Sequence, residues 1–207
     1  MQQGPFWECQ HQTNIELFGA AATYTRGFTV NAGDGGLTNT TANLLQMSTG
    51  GTAITTNGIM TFSATSTGGI TVNSSSVISV RGGIEVNSSG AGVVTLSGAS
   101  NTYTGTTTIS QGTLSADTIV VTATKSGIGN ASSAVILDSP STAGTLSYTG
   151  SAATYVRGFT VNAGGGGLTN TTGNLLQLST VGTTVASGGT MTFMLPARAA
   201  SRSTAPA

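Results

Sequence analysis

Six carboxylates are the side chains in this sequence that could supply paired acid and base chemistry. Hydrolysis or elimination on a sugar polymer needs two carboxylates held close together, or a carboxylate beside Lys or Arg. No two of the six are close in sequence, and Asp34 corresponds to Gly165 in a second copy of its segment. We therefore expect surface or turn positions for all of them: Glu8, Glu16, Asp34, Glu85, Asp117 and Asp138.

Metal and thiol chemistry has even less material. Cys9 and His11 would share one face of an extended segment, but no third ligand lies nearby in sequence. The GDGG at Gly33 to Gly36 contains one Asp, whereas calcium-binding nonapeptide repeats need an Asp in every rung. The sequence therefore predicts no catalytic, cofactor-binding or metal-binding residue, and no cofactor.

The composition excludes several classes of protein. Only 6% of the 207 residues are charged, and the formal net charge is +0. The six basic residues are scattered, which excludes a nucleic acid as partner, and 37% hydrophobic content excludes a disordered chain. No apolar run approaches the roughly 20 residues of a membrane span. The 31 glycines, together with many Thr, Ser and Asn, indicate short strands joined by turns.

An internal duplication is the strongest signal along the chain. The segment from Ala21 to Phe62 recurs without a gap from Ala152 to Phe193, with 31 of 42 positions identical. Similarity at a fixed spacing is typical of repeat architectures. The chain thus holds about one and a half copies of a longer unit, and residues 13–194 form the expected repeat region.

Within each copy the apolar residues alternate with polar ones over four to six residues, as in R-G-F-T-V from Arg26 to Val30. Such alternation between turn-forming residues predicts strands, among them one from Thr118 to Thr124, and no helix. A sandwich or barrel gives no reason for a partial duplication, whereas a solenoid tolerates one. We therefore predict an all-β fold, a right-handed parallel β-helix (β-solenoid). Phe193 and Leu178 should then be interior, like their counterparts Phe62 and Met47.

Thr-x-Thr pairs raise one further function. Flat threonine arrays on β-solenoids can order water and bind ice, but only when the pairs fall in one column. The first threonines of these pairs are separated by about 4 to 47 residues, which disfavours a common column. The β-propensity of Thr explains most of them.

The stretch TLSGASNTYTGTTTISQGTL, from Thr95 to Leu114, closely resembles the autotransporter passenger-associated strand repeat. The duplicated RGFTVNAG and GGLTNTT segments are similar to companion repeats of the same large passengers. This resemblance implies a non-enzymatic, adhesin-like structural segment of a bacterial autotransporter. It would be exposed at the cell surface, at the outer membrane, or secreted, with host surfaces, neighbouring cells or glycans as partners.

Both ends depart from that resemblance. Residues 1–12 hold the only Trp, Cys and His, and residues 195–207 lose the strand pattern, so we expect an atypical tail and a disordered tail. The resemblance also implies a β-barrel translocator in a full-length product. Two alternatives remain: a defective gene fragment without independent function, or a carbohydrate-active enzyme. The enzyme would gather its site from these residues: Asp34, Arg81, Glu85, Asp117, Lys125 and Asp138.

Overall fold

The computed structural model describes residues 13–17, 19–48, 50–54, 57–98, 100–120, 126–137, 143–179 and 182–195. These residues form twenty strands and contain no helix, and hence none that could span a membrane. All paired strands are parallel to each other. The predicted all-β fold is confirmed.

The strands, in chain order, are Thr13–Leu17 (β1), Ala22–Tyr24 (β2), Thr29–Val30 (β3), Gly35–Asn39 (β4), Leu45–Met47 (β5), Thr52–Ile54 (β6), Ile59–Ala64 (β7), Ile70–Val72 (β8), Ile78–Val80 (β9), Gly83–Asn87 (β10), Val93–Leu96 (β11), Thr107–Ala116 (β12), Val135–Leu137 (β13), Gly144–Tyr148 (β14), Ala153–Tyr155 (β15), Phe159–Val161 (β16), Gly166–Asn170 (β17), Leu176–Leu178 (β18), Thr184–Val185 (β19) and Met191–Met194 (β20).

The strands stack on three faces around one axis, and we call one circuit of the three faces a coil. Face A stacks β1, β4, β7, β10, the first half of β12, β13, β16 and β19. Face B stacks β2, β5, β8, β11, the second half of β12, β14, β17 and β20. Face C holds β3, β6 and β9 at one end and β15 and β18 at the other. The predicted right-handed β-solenoid is confirmed, with about seven coils.

Between β9 and β15, the described residues of face C form no regular strand. The amide of Thr102 donates to the carbonyl of Ile78 on β9, and Asn101 forms an isolated bridge with Ser126. Ser126 belongs to a long connection between β12 and β13 whose Ile119 and Ile128 are buried. The strand predicted from Thr118 to Thr124 is wrong for residues 118–120, which form no strand, and its remaining residues lie outside the described part.

The core consists of columns of side chains that point inward from each face. On face A one column runs through Leu37, Phe62, Val86, Ile109, Leu137 and Val161, all at most 1% exposed. Neighbouring strands of a sheet lie about 4.8 Å apart, so each of these side chains packs directly on the one below it. Because only every second side chain of a strand points inward, apolar residues at alternate positions fill the interior, which explains the alternation in the sequence.

The two copies of the duplicated segment lie on different faces. The first copy begins with β2 on face B, and the chain returns to that face five times, at β5, β8, β11, β12 and β14. The second copy begins one face later, with β15 on face C. Equivalent strands nevertheless keep their pairing, because Ala22 pairs with Leu45 and Ala153 pairs with Leu176. The unit is therefore rotated by one face from copy to copy.

Two turn positions show what the duplication preserves. Asp34 and Asn57 adopt left-handed backbone angles, with φ of 65° and 66°. Their counterparts in the second copy are Gly165 and Gly188, with φ of 83° and 84°. Asp and Asn tolerate this conformation better than most residues, and Gly adopts it freely. The glycine that replaces Asp34 in the second copy, Gly165, thus keeps the left-handed conformation of the turn.

β12 passes from face A to face B without a break, and Gly112 allows it. Its φ is +83°, and a Cβ there would lie 2.6 Å from the carbonyl oxygen of Ser88. We expect Gly112→Ala to lower the free energy of unfolding by about 2 kcal/mol or more, since the left-handed angle alone costs an alanine about 1–2 kcal/mol. Urea unfolding of the purified chain measures this change.

Gly173→Ala is the matched control, because nothing lies within 4 Å of a Cβ at Gly173 and its φ is not positive. It should change the free energy of unfolding by less than about 0.5 kcal/mol. Equal losses at Gly112 and Gly173 would contradict this account of the corner.

Candidate functional site

The four described carboxylates lie on turns or on the outer surface. Asp34 accepts a hydrogen bond of 2.7 Å from the amide of Ile59, and Asp117 accepts one of 2.9 Å from the amide of Gly98. Glu85 points outward from face A and accepts a hydrogen bond from the hydroxyl of Ser110. Glu16 is exposed on β1. Three of the four therefore have main-chain or hydroxyl partners that give them a structural role.

Glu16 and Glu85 share face A but not a site. Glu16 lies in the first coil and Glu85 in the fourth. Three strand spacings of about 4.8 Å place them about 14 Å apart along the axis. Retaining glycosidases hold their carboxylates about 5–5.5 Å apart and inverting ones about 6.5–9.5 Å apart, so this pair has neither geometry.

Other candidate residues are not gathered around these carboxylates. Arg81 is exposed in the turn between β9 and β10. Lys125, Asp138, Glu8, Cys9 and His11 lie outside the described residues. Among the described residues, no three side chains of the His, Cys, Asp and Glu types come together in a way that could hold a metal ion.

Face B is a regular surface that continues through all the coils. Its strands carry no Asp, Glu, Lys or Arg. The residues that point outward at the centre of each strand form one column of eight, six of which carry a hydroxyl: Thr23, Gln46, Thr71, Thr95, Ser115, Ser147, Thr169 and Met194. Seven spacings of about 4.8 Å make this hydroxyl column about 34 Å long.

A second, partial column runs beside the hydroxyl column. It contains Val93, Thr113, Thr145, Gly167 and Thr192, paired in that order. In the fifth coil, face B therefore presents a pair of half-buried hydroxyls, Thr113 with Ser115, whereas in the next coil Thr145 is half-buried and Ser147 is buried. An uncharged surface of this kind offers donors and acceptors of hydrogen bonds without a strong electrostatic field.

The sequence intervals between threonines did not reveal this alignment. Twenty residues separate Thr95 from Ser115 in the column, but thirty-two separate Ser115 from Ser147. The long connection between β12 and β13 supplies the difference. Coils of unequal length still stack their strands in register, so this column of single residues forms although its members are unevenly spaced in the sequence. The Thr-x-Thr pairs do not share one column, since Thr23 and Thr169 lie on face B and Thr38 lies on face A.

A buried cation lies where this long connection covers face C. Arg157 is 5% exposed, and its Nε and Nη1 donate to the carbonyl oxygens of Ser133 and Ile128, each at 2.9 Å. Burial raises the pKa of the Tyr103 and Tyr155 hydroxyls above the ordinary value, while the nearby guanidinium of Arg157 opposes that rise. The tyrosines therefore stay neutral at physiological pH. The equivalent of Arg157 in the first copy, Arg26, is exposed.

Comparison with known proteins adds two findings. Residues 89–116 match the model of the passenger-associated-transport-repeat, and they contain β11, β12 and the segment that joins them. The chain is 39% identical over 132 residues to an adhesin of Brucella suis biovar 1 (strain 1330), described as "Adhesin BmaC autotransporter". The match covers 61% of this chain and 4% of the adhesin, so the chain spans a small part of that protein's length. No solved structure matches the chain.

The matched repeat corresponds to the stacking unit of the solenoid. It contains slightly more than one coil, from β11 on face B, through Tyr103 on face C and the first half of β12 on face A, to the second half of β12 on face B again. It also contains the stretch from Thr95 to Leu114 that resembles an autotransporter passenger repeat. That resemblance to an autotransporter passenger repeat is confirmed.

Proposed function

We propose that this chain is a non-enzymatic, adhesin-like segment of an autotransporter passenger, displayed at the bacterial surface or released from it. The observation that carries the proposal is the coincidence of the transport repeat at residues 89–116 with one stacked coil of a β-solenoid. The likeness to an autotransporter adhesin over 132 residues supports the same assignment. Function of this kind needs an extended, stable surface and no reacting groups.

Face B is the contact surface in this proposal. Its strands are free of charged side chains and carry the hydroxyl column, so it suits a neutral, hydroxyl-rich partner such as a glycan on a host or neighbouring cell. Face A carries Glu16 and Glu85 and is the less uniform of the two. An enzyme is disfavoured because the described carboxylates occupy turns or lie coils apart.

The test displays the chain on a non-adherent Gram-negative bacterium, with residues 1–207 placed between a secretion signal and an unrelated translocator barrel. We expect the chain to be accessible to antibody on intact cells and to increase their retention on epithelial monolayers. Thr71→Lys combined with Thr95→Lys should return retention to that of cells without the chain. Binding of a neutral partner would remove water from the two lysine charges in the hydroxyl column without pairing them, which weakens the binding.

The matched control is Thr108→Lys combined with Thr160→Lys, two outward threonines of face A. These cells should keep full retention at equal display. Equal losses on both faces would overturn the assignment to face B. Display without any gain in retention would overturn the adhesive role, and release of soluble sugar from the monolayers would overturn the non-enzymatic one.

A further inference from the structure

The two end coils of the solenoid expose strand edges of the kind that the inner coils use for pairing. Among the described residues, β18, β19 and β20 at one end pair only with the coil below. At the other end, β1, β2 and β3 pair, within the same described part, only with the coil above. Unpaired parallel edges on three sides are a template for a further coil.

The upper end also exposes apolar side chains. Phe193, Leu178 and Val185 are 56%, 38% and 47% exposed, contrary to the interior positions expected of Phe193 and Leu178. Phe193 and Leu178 line an open groove with Leu168 and Leu176. Their counterparts in the first copy, Phe62, Met47 and Ile54, are fully buried. The difference is the coil above, because the first copy is covered by β8, β9 and β10.

The duplication therefore shows what kind of segment covers this surface. In the first copy the covering coil places pairs of apolar residues two apart on each face, such as Ile70 with Val72 and Ile84 with Val86. The first coil of the chain has the same pattern, with Ile15 and Leu17 on β1 and Ala22 and Tyr24 on β2. These residues line the groove at the lower end of the solenoid.

We propose that the upper end coil binds the lower end coil of a second copy of this chain, head to tail. Continuing the coil places the partner's β1 on β18, its β2 on β19 and its β3 on β20, so the second copy is rotated by one face. The fold accepts this rotation, since the same strand pair lies on face B as β2 with β5 and on face C as β15 with β18. The same surfaces bind at every junction, so the assembly grows as a filament.

The register of the proposed junction follows from the first copy, where Leu45 pairs with Ile70 and Gln46 with Thr71. Placing Ile15 of one copy over Leu176 of another brings Glu16 beside Gln177, both pointing outward. Adjacent parallel strands are about 4.8 Å apart, within the range of Cα separations that a disulfide can bridge. Cysteines at these two positions should therefore link two molecules.

The experiment uses the full chain with Cys9→Ser. Glu16→Cys and Gln177→Cys proteins are mixed under mild oxidation, and we expect the mixed dimer as the dominant product. Either protein alone should give little dimer, because each junction needs both positions. Thr95→Cys mixed with Gln177→Cys is the control, since Thr95 lies in the middle of face B and should not link.

A second measurement is sedimentation over a range of concentrations, without cysteines. We expect the mass to rise with concentration, and Phe193→Asp to abolish the rise, while Thr192→Asp, which points outward from the same strand, should not. Equal thermal melting of both variants shows that they fold. A monomer at all concentrations, or self-linking of Gln177→Cys as the main product, would overturn the proposal. Both outcomes are independent of adhesion.

Discussion

Phe62→Ala should lower the free energy of unfolding by about 3–5 kcal/mol. Phe62 is fully buried on face A, between Leu37 below and Val86 above. Truncation removes its contacts on both sides and leaves a cavity that rigid, hydrogen-bonded coils cannot collapse around. Urea unfolding monitored by circular dichroism measures the loss.

The duplication supplies the control at the equivalent position. Phe193 is 56% exposed and is paired with Leu168 in the coil below it. Phe193→Ala should therefore cost about 1 kcal/mol or less. A large cost at Phe193 in a monomeric preparation would mean that another segment covers it, which would contradict the open upper end.

Arg157→Ala is expected to cost about 3 kcal/mol, although the same change at Arg26 should cost less than about 0.5 kcal/mol. Both residues sit in the same R-G-F-T-V sequence. Arg157 is buried and donates to two carbonyl oxygens of the long connection between β12 and β13, whereas Arg26 is exposed. Truncation of Arg157 removes two charge-assisted hydrogen bonds and the packing of its stem.

Thermal melting and urea unfolding of the two variants measure this difference. Arg157→Lys separates charge from geometry, because it keeps the cation but loses the planar fork that reaches Ser133 and Ile128 together. We expect it to recover only part of the loss. Full recovery would show that charge alone matters at this position, and equal effects of Arg157→Ala and Arg26→Ala would contradict the role of the connection.

Much of the fold follows from local patterns in the sequence. Alternation of apolar residues gave the strands around Met60, Ile84 and Val94, because a column of stacked residues needs one inward side chain in two. The partial duplication favoured a solenoid, since coils that contact only their neighbours can be copied in part. Phe193 and Leu178 at the upper end were misplaced because burial there depends on a coil above, and no described strand pairs above β18, β19 and β20.

The candidate site depends on how residues from different coils align, and no local sequence pattern predicts that alignment. The hydroxyl column of face B joins residues separated by anything from 20 to 32 positions, such as Thr95, Ser115 and Ser147. Only the lengths of the turns decide whether they align. Likewise Arg26 and Arg157 are followed by the same four residues but differ in exposure, because Arg157 is held by carbonyl oxygens of the long connection and no described segment covers Arg26.

The rotation of the duplicated unit by one face bears on how binding strength would grow with length. In a longer solenoid built from this unit, three successive copies would return the pattern to its first face after sixteen coils, about 77 Å along the axis. A rod lying against a flat surface would then contact it with every third copy only. The number of simultaneous contacts, which sets the avidity, would be one third of the number of copies. In return, one copy in three would face the surface whichever side of the rod lay against it.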